Sequence, residues 1–319
     1  MALPSLRGRF NWHQLMASDP QAALDFYTRV VGWKTQPWEH DPGYTLLVGS
    51  RGPVAGVTGM PRDPTAPGAA EARPGWLSFI GTEDVDATVR EAVSLGGRVI
   101  AEPADIPVGR IAVLADPQGA VFALYRPSPP APMPETVEPG EFSWHELATT
   151  DPVAAFDFYQ RLFGWEKTGA MDMGAMGIYQ MYGWGEVMIG GFYRMMAEKP
   201  NWLAYAKVKA TPRAVELTRQ LGGSIINGPM EVPGGDLIAM CVDPQGVAFA
   251  VHSARPVAAA APKPARPATS AKKPAKKAAK KPAKKAAKKP AKKVARKPAK
   301  KSAKRAPKRA AKKKSARRR

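Results

Sequence analysis

Residues 10–17 are aromatic-rich and alternate largely in the two-residue period of a strand with one buried face. The period then lengthens. Asp19-Pro20 supplies an N-cap and a first-turn proline, and Ala23, Phe26, Tyr27 and Val30 form an apolar stripe at helical spacing. Gly32 stands where a left-handed helix terminator belongs. Residues 44–49 and 54–60 return to strand character. A second cycle follows: a strand over 76–81, a helix over 84–95 stopped by Gly96-Gly97, and short strands ending at 121–125. The predicted unit is a strand, a helix, then two or three strands.

The whole pattern occurs twice. FNWHQLMASDPQAALDFYTRVVGW (10–33) returns as FSWHELATTDPVAAFDFYQRLFGW (142–165), offset by 132 residues, with 14 of 24 positions identical. Residues 75–97 correspond to 201–223, and ADPQGAVFALYRP (115–127) corresponds to VDPQGVAFAVHSA (242–254). Between the copies, SPPAPMPETVEPG has the composition of an extended linker. The expected organisation is a domain over residues 8–127, a linker over 128–140, a second domain over 141–253 and a tail over 254–319. Four units of this order place helices on one face of sheets, an α+β class.

Charge sharpens the division. The chain carries 48 Lys+Arg and 27 Asp+Glu, net +21; from Ser253 onward there are 29 basic residues and no acid, so residues 1–252 hold 19 basic against 27 acidic groups, a balance of −8. Cys241 is the sole cysteine, which excludes an intramolecular disulfide and a multi-cysteine zinc site. GxGxxG, GxxxxGK[ST], HExxH and GxSxG are missing, so nucleotide binding, zincin chemistry and α/β-hydrolase chemistry have no local support. Neither a leader segment nor an apolar run of about 20 residues is present, so a cytoplasmic protein without membrane contact is expected.

The order of a strand, D-P-x-x-A-x-x-F-Y-x-x-x-x-G-W, a strand, E-D-V-D-A-x-x-x-x-A-x-x-L-G-G and D-P-x-G-x-x-F-x-L resembles the vicinal oxygen chelate superfamily, which includes glyoxalase I, bleomycin resistance proteins and extradiol dioxygenases. The resemblance covers nearly all of residues 8–253. It implies two tandem domains, each a pair of βαβββ modules forming a cup-shaped sheet. It also implies, for members that do chemistry, a divalent metal held by His, Glu or Gln on the first strand of a module and by Glu near the end of the last. Carried onto this chain, the strand positions are Trp12, Leu77, Trp144 and Leu203, and the terminal positions are Ala123 and Ala250. None of these side chains binds a metal, so no metal and no cofactor is expected.

His13 and His145 sit one residue beyond two of those positions. Strand alternation turns them away from the face of Trp12 and Gln14 and toward the helix layer, unless a β-bulge restores them to the cavity. His40 and His252 have no repeat-matched ligand partner. The residues expected to share the cavity face are Trp12 and Gln14 in the first domain and Trp144 and Glu146 in the second; indoles beside an amide or carboxylate suit a flat organic ligand, and Glu146 is a weak candidate for a general base. Cys241 reads as a small buried hydrophobe, Trp33, Trp165 and the Phe-Tyr pairs as core, and the Met-rich residues 171–177 as a flexible loop that could serve as a lid.

The tail resembles those of linker histones and lysine-rich nucleoid proteins. Lysine pairs recur every four residues (Lys272, Lys273, Lys276, Lys277, Lys280, Lys281, Lys284, Lys285 and onward), and prolines at 274, 282, 290 and 298 forbid a continuous helix. An extended, disordered polycation is expected, binding DNA or another polyanion through residues 263–319 by counterion release, without base recognition. The function expected from the sequence is a small-molecule-binding protein of glyoxalase and bleomycin-resistance type, held near nucleic acid by its tail, with the nucleoid as one location. The alternatives are a metal-dependent lyase or dioxygenase, and a nucleoid-associated structural protein whose globular part only caps or dimerises. A monomer is compatible with a fused pair of domains.

Overall fold

A computed structural model describes residues 6–255, apart from 64, 66–68, 71, 131–133, 135 and 196–198. The lysine-rich tail lies outside the described residues. The first repeat contains β1 (Phe10–Ala17), α1 (Pro20–Val30), β2 (Lys34–Trp38), β3 (Asp41–Gly49), β4 (Gly52–Gly59), β5 (Gly75–Gly81), α2 (Val85–Ser94), β6 (Arg98–Ile106), β7 (Gly109–Ala115) and β8 (Val121–Pro127). The second contains β9 (Phe142–Thr149), α3 (Pro152–Phe163), β10 (Glu166–Asp172), β11 (Ile178–Trp184), β12 (Val187–Arg194), β13 (Asn201–Lys207), α4 (Thr211–Gln220), β14 (Ser224–Glu231), β15 (Leu237–Val242) and β16 (Ala248–Ser253). Each helix is followed by three strands, one more than the sequence pattern marks outright. The unmarked β2 is a mostly exposed edge strand containing Pro37, where a missing N–H costs no ladder bond.

Each repeat forms one eight-stranded sheet, ordered β2-β3-β4-β1-β5-β8-β7-β6 and β10-β11-β12-β9-β13-β16-β15-β14. The central strands of the two modules run antiparallel, with Gln14 opposite Leu77 and Glu146 opposite Leu203. The helices start as expected. Asp19, Asp84 and Asp151 accept backbone N–H bonds from the first turns of α1, α2 and α3, and Gly164 (φ 70) terminates α3.

The helices lie between the two sheets, and the cores cross the domain boundary. Residues of α1, β1 and β4 pack with residues of α4, β15 and β16, while α2, β7 and β8 pack with α3, β9 and β12. Each repeat thus completes the other's core. The polar contacts share this pseudo-twofold symmetry. Tyr27 donates to Asp243 Oδ2 (3.0 Å) and Tyr159 to Asp116 Oδ2 (3.2 Å), so the D-P-Q-G turn of each domain holds the tyrosine of the other's helix. Trp33 Nε1 donates to the Gly140 carbonyl and Trp165 Nε1 to that of Gly8. The Met-rich stretch is more ordered than expected: Met171 and Asp172 end β10, and Gly174–Met176 form a single 3₁₀ turn. Among the described residues, no helix is long and apolar enough to cross a membrane.

Candidate functional site

The face of each sheet turned away from the helices carries the residues expected there. In the first sheet Trp12 lies opposite Phe79, Gln14 opposite Leu77, and Phe79 beside Ala123. Val113 pairs with Ala123 and Ile111 with Tyr125. In the second sheet Trp144 lies opposite Tyr205, Glu146 opposite Leu203, and Tyr205 beside Ala250, with Met240 at the position of Val113. The register brings Trp12 with Gln14, and Trp144 with Glu146, onto these faces.

Both cups use the same aromatic device. Trp12 Nε1 donates to the Tyr44 hydroxyl (3.0 Å), and Trp144 Nε1 donates to that of Tyr179 (2.8 Å). Each tyrosine ring lies on a glycine of the neighbouring strand. A Cβ on Gly56 would come within about 2 Å of the Tyr44 ring, and one on Gly191 equally close to Tyr179. Trp38 packs against Tyr44 at 5.3 Å, and Tyr193 stacks on Tyr179 at 6.0 Å. Sequence reasoning missed these tyrosines, because the strands that carry them follow loops of unequal length and repeat at a different offset. The paired glycines of β4 and β12 were the available signal.

The second cup adds a carboxylate. Tyr179 donates to Glu146 Oε1 (2.7 Å) and Tyr205 to Oε2 (2.8 Å). Burial pushes the Glu146 pKa upward, opposed by the bonds from Tyr179, Tyr205 and Trp144, and burial together with the Glu146 charge holds both tyrosines far above their ordinary range. Both oxygens of this carboxylate are occupied by phenols. Each of these bonds stabilises the ionised form and so opposes the protonation that a general base requires.

The donor chemistry of neither cup fits a divalent metal. Indole, isobutyl and methyl groups stand at the positions that the family resemblance implies for ligands, and among the described residues no three His, Cys, Asp or Glu side chains cluster as a metal site. His13 and His145 are elsewhere. They point to the helix side, 3% and 5% exposed, and meet Nε2 to Nε2 at 2.9 Å across the domain boundary. Phe142 stacks on His13 (3.7 Å) and Phe10 on His145 (3.6 Å), so each imidazole of the pair is covered by the phenylalanine of the other repeat. A bulge does occur in β1, between Phe10 and Trp12, and another interrupts the pairing of β9 with β13 near Ser143. Both lie before the histidine, so they bring Phe10 and Phe142 to the imidazole side and leave the histidines out of the cups. Burial drives the His13 pKa well below its usual value, with His145 adding to the effect, and lowers that of His145 to about 3 against a hydrogen bond with the Ile189 backbone. Both rings are neutral, one donating and the other accepting.

The remaining sequence candidates have structural partners. His252 lies between Ser143 and Asp236 (2.9 and 2.8 Å), and His40 lies 3.4 Å from Glu39. Cys241 is buried in the core shared by α1 and α4.

Comparison with known proteins gives the arrangement its relatives. A glyoxalase-like domain model matches residues 13–125. The anthracycline biosynthesis protein DnrV of Streptomyces peucetius is 33% identical over 259 residues, covering 76% of this chain and 92% of that protein. The glyoxylase-like protein CFP32 of Mycobacterium bovis is 41% identical over 125 residues, 38% of this chain and 45% of that one. Among solved structures, the Mn(II)-bound glyoxalase of Novosphingobium aromaticivorans superposes with a TM-score of 0.54 at 16% identity, covering 78% of this chain and 82% of that one, a likeness of fold. The repeated βαβββ modules, their order in the sheets, the family match and the relative 33% identical over 76% of the chain together make this chain a member of the glyoxalase-like family of the vicinal oxygen chelate superfamily.

Proposed function

We propose that the chain binds a small, flat, partly apolar organic molecule on the concave side of its sheets, without a catalytic metal, and that its basic tail associates with DNA or another polyanion. The observation that carries the first part is the replacement of the six ligand positions by Trp12, Leu77, Ala123, Trp144, Leu203 and Ala250, with each indole hydrogen-bonded to a tyrosine. Aromatic faces give a planar ligand large contact at little entropic cost, and Gln14 and Glu146 offer polar groups to orient it. The similarity to a protein named for anthracycline biosynthesis supports an aromatic polyketide as the ligand class. Metal analysis of the purified chain tests this reading: substoichiometric metal is expected, and one equivalent of Fe, Mn, Ni or Zn per chain refutes it.

The tail reading rests on 29 basic residues and no acid from Ser253 onward. Neutralising about 6 to 10 phosphates makes affinity fall by roughly 10³ to 10⁵ between about 50 and 200 mM salt. A chain ending at His252 should lose retention on duplex DNA at low salt. Undiminished retention defeats the proposal.

A further inference from the structure

Resting on the ligand-binding reading above, we infer that the first cup alone receives the ligand, that the second is closed by its own side chains, and that the ligand is a neutral planar aromatic bearing a carbonyl oxygen, of the quinone type. The two cups are the same device in two states. In the second, every donor of the central network ends on an acceptor of the protein: Trp144 on Tyr179, Tyr179 on Glu146 and Tyr205 on Glu146. Leu203, Tyr205 and Ala250 are buried there, with Trp144, Ile238, Met240 and Ala248 packed against them. These side chains pack on one another across the floor of the second cup.

The first cup lacks what closes the second. Gln14 replaces Glu146, Phe79 replaces Tyr205, and the smaller Val113 replaces Met240. Gln14 and Leu77 are partly exposed where their equivalents Glu146 and Leu203 are buried, while Trp12 and Tyr44 match Trp144 and Tyr179 in being partly exposed. Tyr44 accepts from Trp12, but among the described residues nothing accepts its own proton, and the Gln14 amide has no side-chain partner. A hydroxyl that already accepts a bond donates a stronger one. Burial pushes the Tyr44 pKa up to about 12, so it stays a donor at any ordinary pH.

Two N–H or O–H donors on an aromatic wall specify an acceptor oxygen on a flat ligand. The concave residues of the central strands, Trp12, Gln14, Gly56, Leu77, Phe79 and Ala123, carry no charge, and an ionised ligand would be desolvated there without a counter-charge. Exposed Asp41 beside Tyr44 further disfavours an anion. A quinone or hydroxyquinone carbonyl satisfies both donors.

The test uses the full chain and quinizarin, a neutral hydroxyanthraquinone, in equilibrium dialysis. One equivalent should bind per chain. Tyr44→Phe should weaken binding about tenfold, the loss of one hydrogen bond. Gln14→Glu should abolish saturable binding, because its carboxylate would accept the Tyr44 hydrogen bond as Glu146 accepts that of Tyr179; this partly exposed position tolerates the change even should Tyr44→Phe fail to fold. Two equivalents per chain, or undiminished affinity in a folded variant, would overturn the assignment to the first cup while leaving ligand binding intact. No saturable binding by the unaltered chain would overturn both.

Discussion

Lowering the pH should load a destabilising term onto this protein through two histidines remote from both cups. His145 has a folded pKa of about 3 because burial disfavours its charged form, against about 6.5 in an unfolded chain. The unfolded state therefore binds a proton that the folded state refuses throughout that interval. A depressed basic pKa gives stability that is present above the unfolded value and is lost as pH falls, at about 1.4 kcal/mol per pH unit. Between about pH 7.5 and 4.5 His145 alone should cost about 3 kcal/mol, a sizeable part of a typical folding free energy of about 5–15 kcal/mol. His13 acts in the same direction. Glu146 and Asp116 act oppositely, since burial raises both carboxyl pKa values and protonation then favours the folded state.

Comparison with a His13→Gln/His145→Gln variant removes that opposition, because the carboxylates are common to both proteins. Urea unfolding followed by tryptophan fluorescence at several pH values would give the two stability curves. The unaltered protein should fall more steeply below about pH 6.5, by at least one histidine's slope of about 1.4 kcal/mol per unit. Parallel curves would refute the claim that the pair is buried neutral.

Other perturbations follow from the same geometry. Tyr27→Phe leaves Asp243 Oδ2 and the Trp76 indole without their bonds to that hydroxyl, and should cost about 1–3 kcal/mol in urea unfolding, as should Tyr159→Phe in the mirrored site. Gly56→Ala drives a methyl into the Tyr44 ring; overpacking of about 1–3 kcal/mol is expected, with weakened quinizarin binding by dialysis. Trp165→Ala empties a fully buried position and should destabilise by about 3–5 kcal/mol, read from the urea midpoint.

Much of this was legible in the sequence because its causes are local. Asp19-Pro20 and Asp151-Pro152 cap helices because an apolar stripe at helical spacing follows each, and the duplication of residues 10–33 at 142–165 shows each element twice. Strand alternation also turned the histidines correctly toward the helices. Their partner was not legible. Periodicity states which face a side chain occupies and says nothing of what packs against that face, so the meeting of His13 with His145 needed the two sheets placed back to back. The D-P-Q-G aspartates are a similar case. Their turn is local, as Asp243 Oδ1 accepts from Gln245 and Val247, while Oδ2 reaches Tyr27 of the other repeat.

This interlocking explains how the cups could diverge. Stability resides in cores and polar clasps that both repeats build together on the helix side. The concave faces contribute less to that shared core, and substitutions there, such as Gln14 against Glu146 or Phe79 against Tyr205, leave the clasp residues untouched. One face can then hold its own carboxylate network while the other keeps an unspent donor. The same separation makes the predictions independent: substitutions at the histidine pair should change acid stability without changing quinone stoichiometry, and Gln14→Glu should do the reverse. Coupling between those two readouts would mean that the helix layer and the cups are mechanically linked, contrary to the arrangement of contacts described.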